Sequence, residues 1–186
     1  MKARNSVVLI AIIATTLMVG FSACKKDDNA PVMAKTLYDS LEGTTMVADP
    51  RAPGTMIEQG RLGIRSVVDS TVFVIAADPQ INGYFQVLLA EVTNGNLSGF
   101  GALSKSLTDF LCVGTGAKNF TYNGLSMAAA HDPARNPRMN GKSDNAAFDR
   151  FIADVVIGAQ KNGLPNNLIG RVGEVLNSLR GPIVQR

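Results

Sequence analysis

The chain has 186 residues, of which 46% are hydrophobic and 18% charged, with one histidine and two cysteines. That inventory excludes a Cys/His zinc site and a multi-disulfide scaffold. The formal net charge of +3 comes with no clustered Lys/Arg stripe among aromatics, so no nucleic-acid partner is expected.

Lys2 and Arg4 open the chain, and a continuous apolar run follows from Val7 to Phe21. The run is 15 residues long, short of the roughly 20 that a membrane-crossing helix needs, and it suits the apolar core of a secretory signal. The competing reading is an uncleaved anchor. The next residues, "FSAC", resemble the lipobox of bacterial lipoproteins, with Phe21 where that family usually has leucine. The resemblance implies a signal peptide over residues 1–23, lipidation of Cys24, and a flexible tether over 24–35. Attachment through acyl chains, at about 0.8 kcal/mol per buried methylene, would hold the protein at a membrane. "KKDDN" resembles the short signals that send some Gram-negative lipoproteins to the cell surface. The expected location is therefore the cell envelope, at the outer membrane or the surface. Loss of Lys2 and Arg4 with the leader leaves sixteen basic against fifteen acidic residues. Cys112 is then the only thiol, and one thiol cannot form an internal disulfide.

From Thr36 onward the apolar spacing is helical. Thr36 and Asp39 form a weak capping-box pattern, and "ADPRAPG" reads as a loop. Leu62, Val67, Val68, Thr71, Val72 and Ile75 share one helical face, which should end before Pro79. "TNGNLSG" reads as a loop, and Phe100, Leu103, Leu107, Phe110 and Leu111 then form one continuous stripe. A short helical turn carries Leu125, Met127, Ala128 and His131. Phe148, Phe151, Ile152, Val155, Val156 and Ala159 mark the clearest helix, with Ser143 or Asp144 as its cap and Gly163-Leu-Pro165 as its stop. The last helix turns Leu168, Val172, Val175, Leu176 and Leu179 inward. No strand pattern competes, since "STVFVIA" continues a helical stripe. The fold class expected is all-α.

Most catalytic constellations lack parts. There is one histidine, no G-x-S-x-G elbow and no Walker or dinucleotide glycine pattern after a strand. Nothing singles out a carboxylate pair.

The order of these helices and their motifs resemble the truncated haemoglobins, most closely their first group. "LYDSLEG" is similar to the family's opening motif. Val67-Val68-Asp69, Ala77-Asp78-Pro79 and Gly83-Tyr84-Phe85 are similar to its second helix and the aromatics beyond it. "YNGLSMAAAH", ending at His131, resembles its proximal segment with Asn123 in place of threonine, and "AAFDRFIADVVIGAQKNGLP" resembles the helix after that. The resemblance covers nearly all of residues 36–186 and implies a globin-like, truncated two-over-two helical sandwich with loop insertions. It also implies haem b as cofactor, with His131 as the metal ligand through a neutral imidazole. Met127 lies one turn earlier on the same face. The pocket positions it implies are Phe85, Leu103, Leu107, Phe110, Phe148 and Val72. Tyr122 would reach a propionate, as would Arg135 or Arg138 unless their loop is simply solvated. The sixth iron ligand is open between Met139 and water.

Departures from the pattern matter as much. The distal tyrosine of the family falls at Val72, beside Thr71, and its supporting glutamine at Leu107. An apolar lining cannot donate a hydrogen bond to a polarised diatomic ligand, so fast oxygen loss is expected, with NO, CO or electron exchange better suited. Insertions follow "LEG", surround "TNGNLSG" and span 132–145, the last beside the histidine. The function implied is a haem protein that binds O2 or NO or exchanges electrons with a redox partner at the envelope. Any enzymatic activity would be haem-dependent redox chemistry or NO detoxification. The alternatives are a haem-free helical domain acting as a surface interaction module, and a lipoprotein that captures and transfers haem.

Overall fold

A computed structural model describes residues 34–186; the apolar leader and the Cys24 lipobox lie outside the described residues. Thr36 caps the first helix, α1 (Leu37–Ser40), through the expected capping box: its hydroxyl accepts from the Asp39 N–H at 3.0 Å, and the Asp39 carboxylate takes the Thr36 N–H at 2.9 Å. The Tyr38 ring is almost wholly buried and its hydroxyl donates to Glu58 at 2.7 Å.

The Pro-rich stretch after α1 differs from the loop expected of it. Strands β1 (Met46–Ala48) and β2 (Met56–Glu58) pair antiparallel, with Val47 opposite Ile57. Both prolines stay in the connecting turn, which Asp49 closes by accepting the Arg51 N–H at 2.9 Å and donating its own N–H to Thr55 at 2.9 Å. Three-residue strands are too short for an alternation signal, which is why the sequence pattern hides them.

Helix α2 (Gln59–Ala77) is the centre of the molecule. It buries Ile64, Val68, Thr71, Val72 and Ile75, and it stops at Asp78, held extended by the proline that follows. It packs against α4 (Ser98–Gly114) on one side and α6 (Asn145–Lys161) on the other, and α6 lies against α7 (Asn166–Asn177). The α2–α6 crossing is tight because Gly158 has no side chain: a Cβ there would stand 2.9 Å from the Thr71 nitrogen. Asp144 is the cap of α6, accepting the Ala147 N–H at 2.8 Å. Leu37, Tyr38, Ile64, Val68, Leu111, Cys112, Val155, Val172 and Leu176 form the continuous core.

Short elements fill the connections. A 3-10 turn (Asn82–Phe85) and α3 (Gln86–Thr93) join α2 to α4, while α5 (Met127–Ala130) precedes His131 and α8 (Arg180–Ile183) ends the fold. The 3-10 turn and α3 carry no periodic signal long enough to be expected from the pattern, and Leu125, expected on the helical turn before His131, lies outside α5 and is exposed. Among the described residues no helix is long and apolar enough to cross a membrane.

Candidate functional site

His131 caps the C-terminus of α5 and is half-buried. Its Nδ1 lies 2.8 Å from the Met127 carbonyl oxygen. A carbonyl can only accept, so Nδ1 carries the ring proton, and in the neutral imidazole Nε2 keeps its lone pair. Burial holds the pKa of the ring below the usual histidine value, against a smaller upward pull from the Met127 carbonyl. The side chain is therefore neutral, fixed in one tautomer and oriented. This is how proteins present an imidazole to a metal: the second nitrogen is tied to an acceptor and the first is left as a basic donor.

One imidazole cannot hold a bare ion, and among the described residues no three His, Cys, Asp or Glu side chains converge to do so. A porphyrin brings four nitrogens of its own and needs only one axial ligand from the chain. The donor set fits haem.

Helix α4 buries mostly a face other than its large apolar stripe. Its buried positions are Gly99, Ser104, Thr108, Asp109, Leu111 and Cys112, mostly small side chains, and α4 packs on α2. The large apolar stripe of Phe100, Leu103, Leu107 and Phe110 is only half-buried. Leu107 and Phe110 pack on the rim of the core, and the Phe110 ring meets the edge of Tyr122 at 5.2 Å. Tyr122 thereby ties the segment before His131 to α4, and its hydroxyl donates to the Leu125 carbonyl at 2.6 Å.

The remaining expected positions lie on four other elements. Phe85 closes the 3-10 turn and is half-buried, as is Met127. Phe148 is buried at the start of α6, between the Phe151 ring at 6.3 Å and the Arg180 guanidinium at 4.3 Å. Val72 is buried on α2. The neighbouring Thr71 hydroxyl donates to Val67 at 2.9 Å, so it is committed inside its own helix. Arg138 pairs with Glu91 at 2.8 Å, whereas Arg135 is exposed. Two clefts of about 420 and 730 Å³ open elsewhere, one among α1, α2, α6 and α7 and the other under the β-hairpin; neither is lined by His131.

One titratable group escaped the sequence reading. Asp154 on α6 is wholly buried, with no hydrogen-bond donor at either oxygen and Arg150 Nε 3.8 Å away. Arg150 bonds instead to Asp78, the C-cap of α2. Burial pushes the Asp154 carboxyl up from its ordinary value, and the charge of Asp78 adds to that. The Arg150 guanidinium holds Asp78 below the usual range. Burial and the neighbouring Asp78 charge thus both disfavour ionisation of Asp154, while Arg150 favours that of Asp78.

No protein-family model matches this chain, and no curated protein matches it. Solved structures do. The Fe(III) form of truncated haemoglobin from Tetrahymena pyriformis, and two single-residue variants of it, each match with a TM-score of 0.58 at 19% identity, over 82% of this chain and 100% of theirs. The fold is thus globin-like and all-α, of the truncated two-over-two kind, with the β-hairpin as a small addition.

Proposed function

We propose that this chain is a haem-b protein that binds a diatomic gas or exchanges single electrons. The observation that carries the reading is the His131 Nδ1 to Met127 oxygen distance of 2.8 Å, which leaves Nε2 as a neutral donor. Haem iron would supply an open coordination position for a gas and a one-electron couple. The chain's own residues do the rest. His131 would hold the iron, while the half-buried Phe85, Leu103, Leu107 and Phe110 would offer apolar surface to the ring. By the resemblance, Val72 and Leu107 take the positions of the family's distal donors, and Thr71 bonds within α2. An apolar distal side of this kind favours NO, CO or electron exchange over stable oxygen carriage.

Hemin titration of the purified protein tests the reading. A stoichiometric Soret band, lost in His131→Ala, is the expected result. A folded protein that stays colourless would replace it with a haem-free globin-like module acting at a surface. We further infer that Cys24 is lipidated and holds the protein at a Gram-negative envelope membrane. The support is the lipobox-like "FSAC" after an apolar leader. Cys24→Ser should move the protein from the membrane fraction to the soluble one, and an unchanged distribution would refute the anchor.

A further inference from the structure

The insertion at 132–145 leaves His131 directly and crosses to the other side of the site. Asn136 Nδ2 donates back to the Ala130 carbonyl at 2.8 Å, fixing the start of the loop to the helix of the histidine. Four residues on, Asn140 is bonded twice to the turn that carries Tyr84 and Phe85 and once to the first residue of α3. Its backbone N–H donates to Tyr84 at 3.0 Å, and its side-chain amide reaches the Gly83 carbonyl at 3.0 Å and Gln86 at 3.2 Å. Between them Arg138 pairs with Glu91 of α3 at 2.8 Å.

Glu91 extends the connection. Its second carboxylate oxygen is buried without a partner, and a Cβ at Gly99, in the first turn of α4, would stand 3.1 Å from the Glu91 carboxyl carbon. The carboxylate therefore sits on the positive end of a 17-residue helix, the helix that carries Leu103 and Leu107. The C-terminus closes the same ring, with Arg186 on the Tyr84 hydroxyl at 2.9 Å and Gln185 on the Ala128 carbonyl at 2.7 Å.

We propose that residues 132–145 are a clasp that ties the histidine side of the site to the side formed by Tyr84, Phe85 and α4, and so sets how fast haem enters and leaves. The proposal rests on the haem reading above. It assigns Asn140 and Arg138 a retention role with no contact to the iron, and it makes haem exchange sensitive to ionic strength through the half-exposed Arg138–Glu91 pair.

The test uses the full-length protein in detergent, loaded with hemin and mixed with excess apomyoglobin. Asn140→Ala should keep the wild-type Soret maximum and lose hemin about tenfold faster, the change expected from removing side-chain hydrogen bonds that close the loop. Wild-type loss should speed up as salt is raised, and Arg138→Gln should remove that dependence. Arg171→Ala breaks a surface hydrogen bond to Ser40 on the far side of the fold and should leave the loss rate unchanged. Equal loss rates for wild type, Asn140→Ala and Arg138→Gln, with an intact Soret band, would overturn the clasp and leave the haem reading standing. So would an equal acceleration in Arg171→Ala. A wild type with no His131-dependent Soret band would remove the haem reading and the clasp with it.

Discussion

Asp154→Asn probes the buried acid pair directly. The native state keeps a proton on Asp154 over the range between the ordinary carboxylate value and its raised one. In that range the unfolded chain binds fewer protons than the folded one, so stability falls as pH rises. The contribution of the protonated acid is complete below the ordinary value and lost above the raised one. The slope has a ceiling of about 1.4 kcal/mol per pH unit for one proton. Water near the Arg150 side chain, which is 38% exposed, screens the site and keeps the observed slope below that ceiling. Asp78 acts with the opposite sign: its carboxyl is held low, so its contribution is present above the ordinary value and lost as pH falls through the depressed one. An asparagine at 154 cannot ionise. Urea unfolding of wild type and Asp154→Asn from pH 4 to 9 should give curves that diverge as pH rises, with the variant relatively more stable at the alkaline end. A uniform cost of the amide would only offset the curves. Parallel curves would refute the reasoning, because Asp154 would then titrate alike in the folded and unfolded chains.

Gly158→Ala places a methyl against Thr71 and forces α2 and α6 apart; a loss of about 1–3 kcal/mol is expected in chemical denaturation, and an unchanged midpoint would show that the crossing is looser than described. Burial pushes the Cys112 thiol up to about 11, so in a Cys24→Ser background a disulfide reagent should label no thiol in native buffer and one in denaturant. Labelling at the same rate in both would count against a buried thiol. Leu107→Gln restores a donor on the apolar stripe, and oxygen release from the hemin-loaded, reduced protein should slow by about tenfold or more. Stopped-flow release at the wild-type rate would mean that position 107 does not face the ligand.

The long helices were legible because each carries its own apolar period: Phe148 to Ala159 marks α6 without a miss. The capping box at Thr36 and the stop before Pro79 were legible for the same local reason. What the sequence concealed depended on partners far along the chain. The stripe of Phe100, Leu103, Leu107 and Phe110 announces residues that avoid water, but periodicity does not say what covers them. Packing instead buries Ser104, Thr108 and Cys112 against α2. Asp154 looked like an ordinary acid on a helix, since Asp78 and the crossing that buries it lie more than seventy residues away. His131 stood out by resemblance and scarcity, while its tautomer needed the Met127 carbonyl in place.

The histidine stands on weak local ground, and that bears on how the site works. A helix of four residues cannot sustain itself, because nucleation costs more than one turn returns. Helix α5 is held from outside: Ser126 accepts the Ala129 N–H at 3.3 Å, Asn136 takes the Ala130 carbonyl, and Gln185 takes that of Ala128. Two of those three supports come from the insertion and the C-terminus. The residue that would bind iron is thus positioned by segments that also reach Tyr84. By linkage, anything that binds only this arrangement stabilises it. If His131 binds haem, loading and ordering of the proposed clasp would be one equilibrium, and protection of the Asn140 N–H should rise with hemin occupancy.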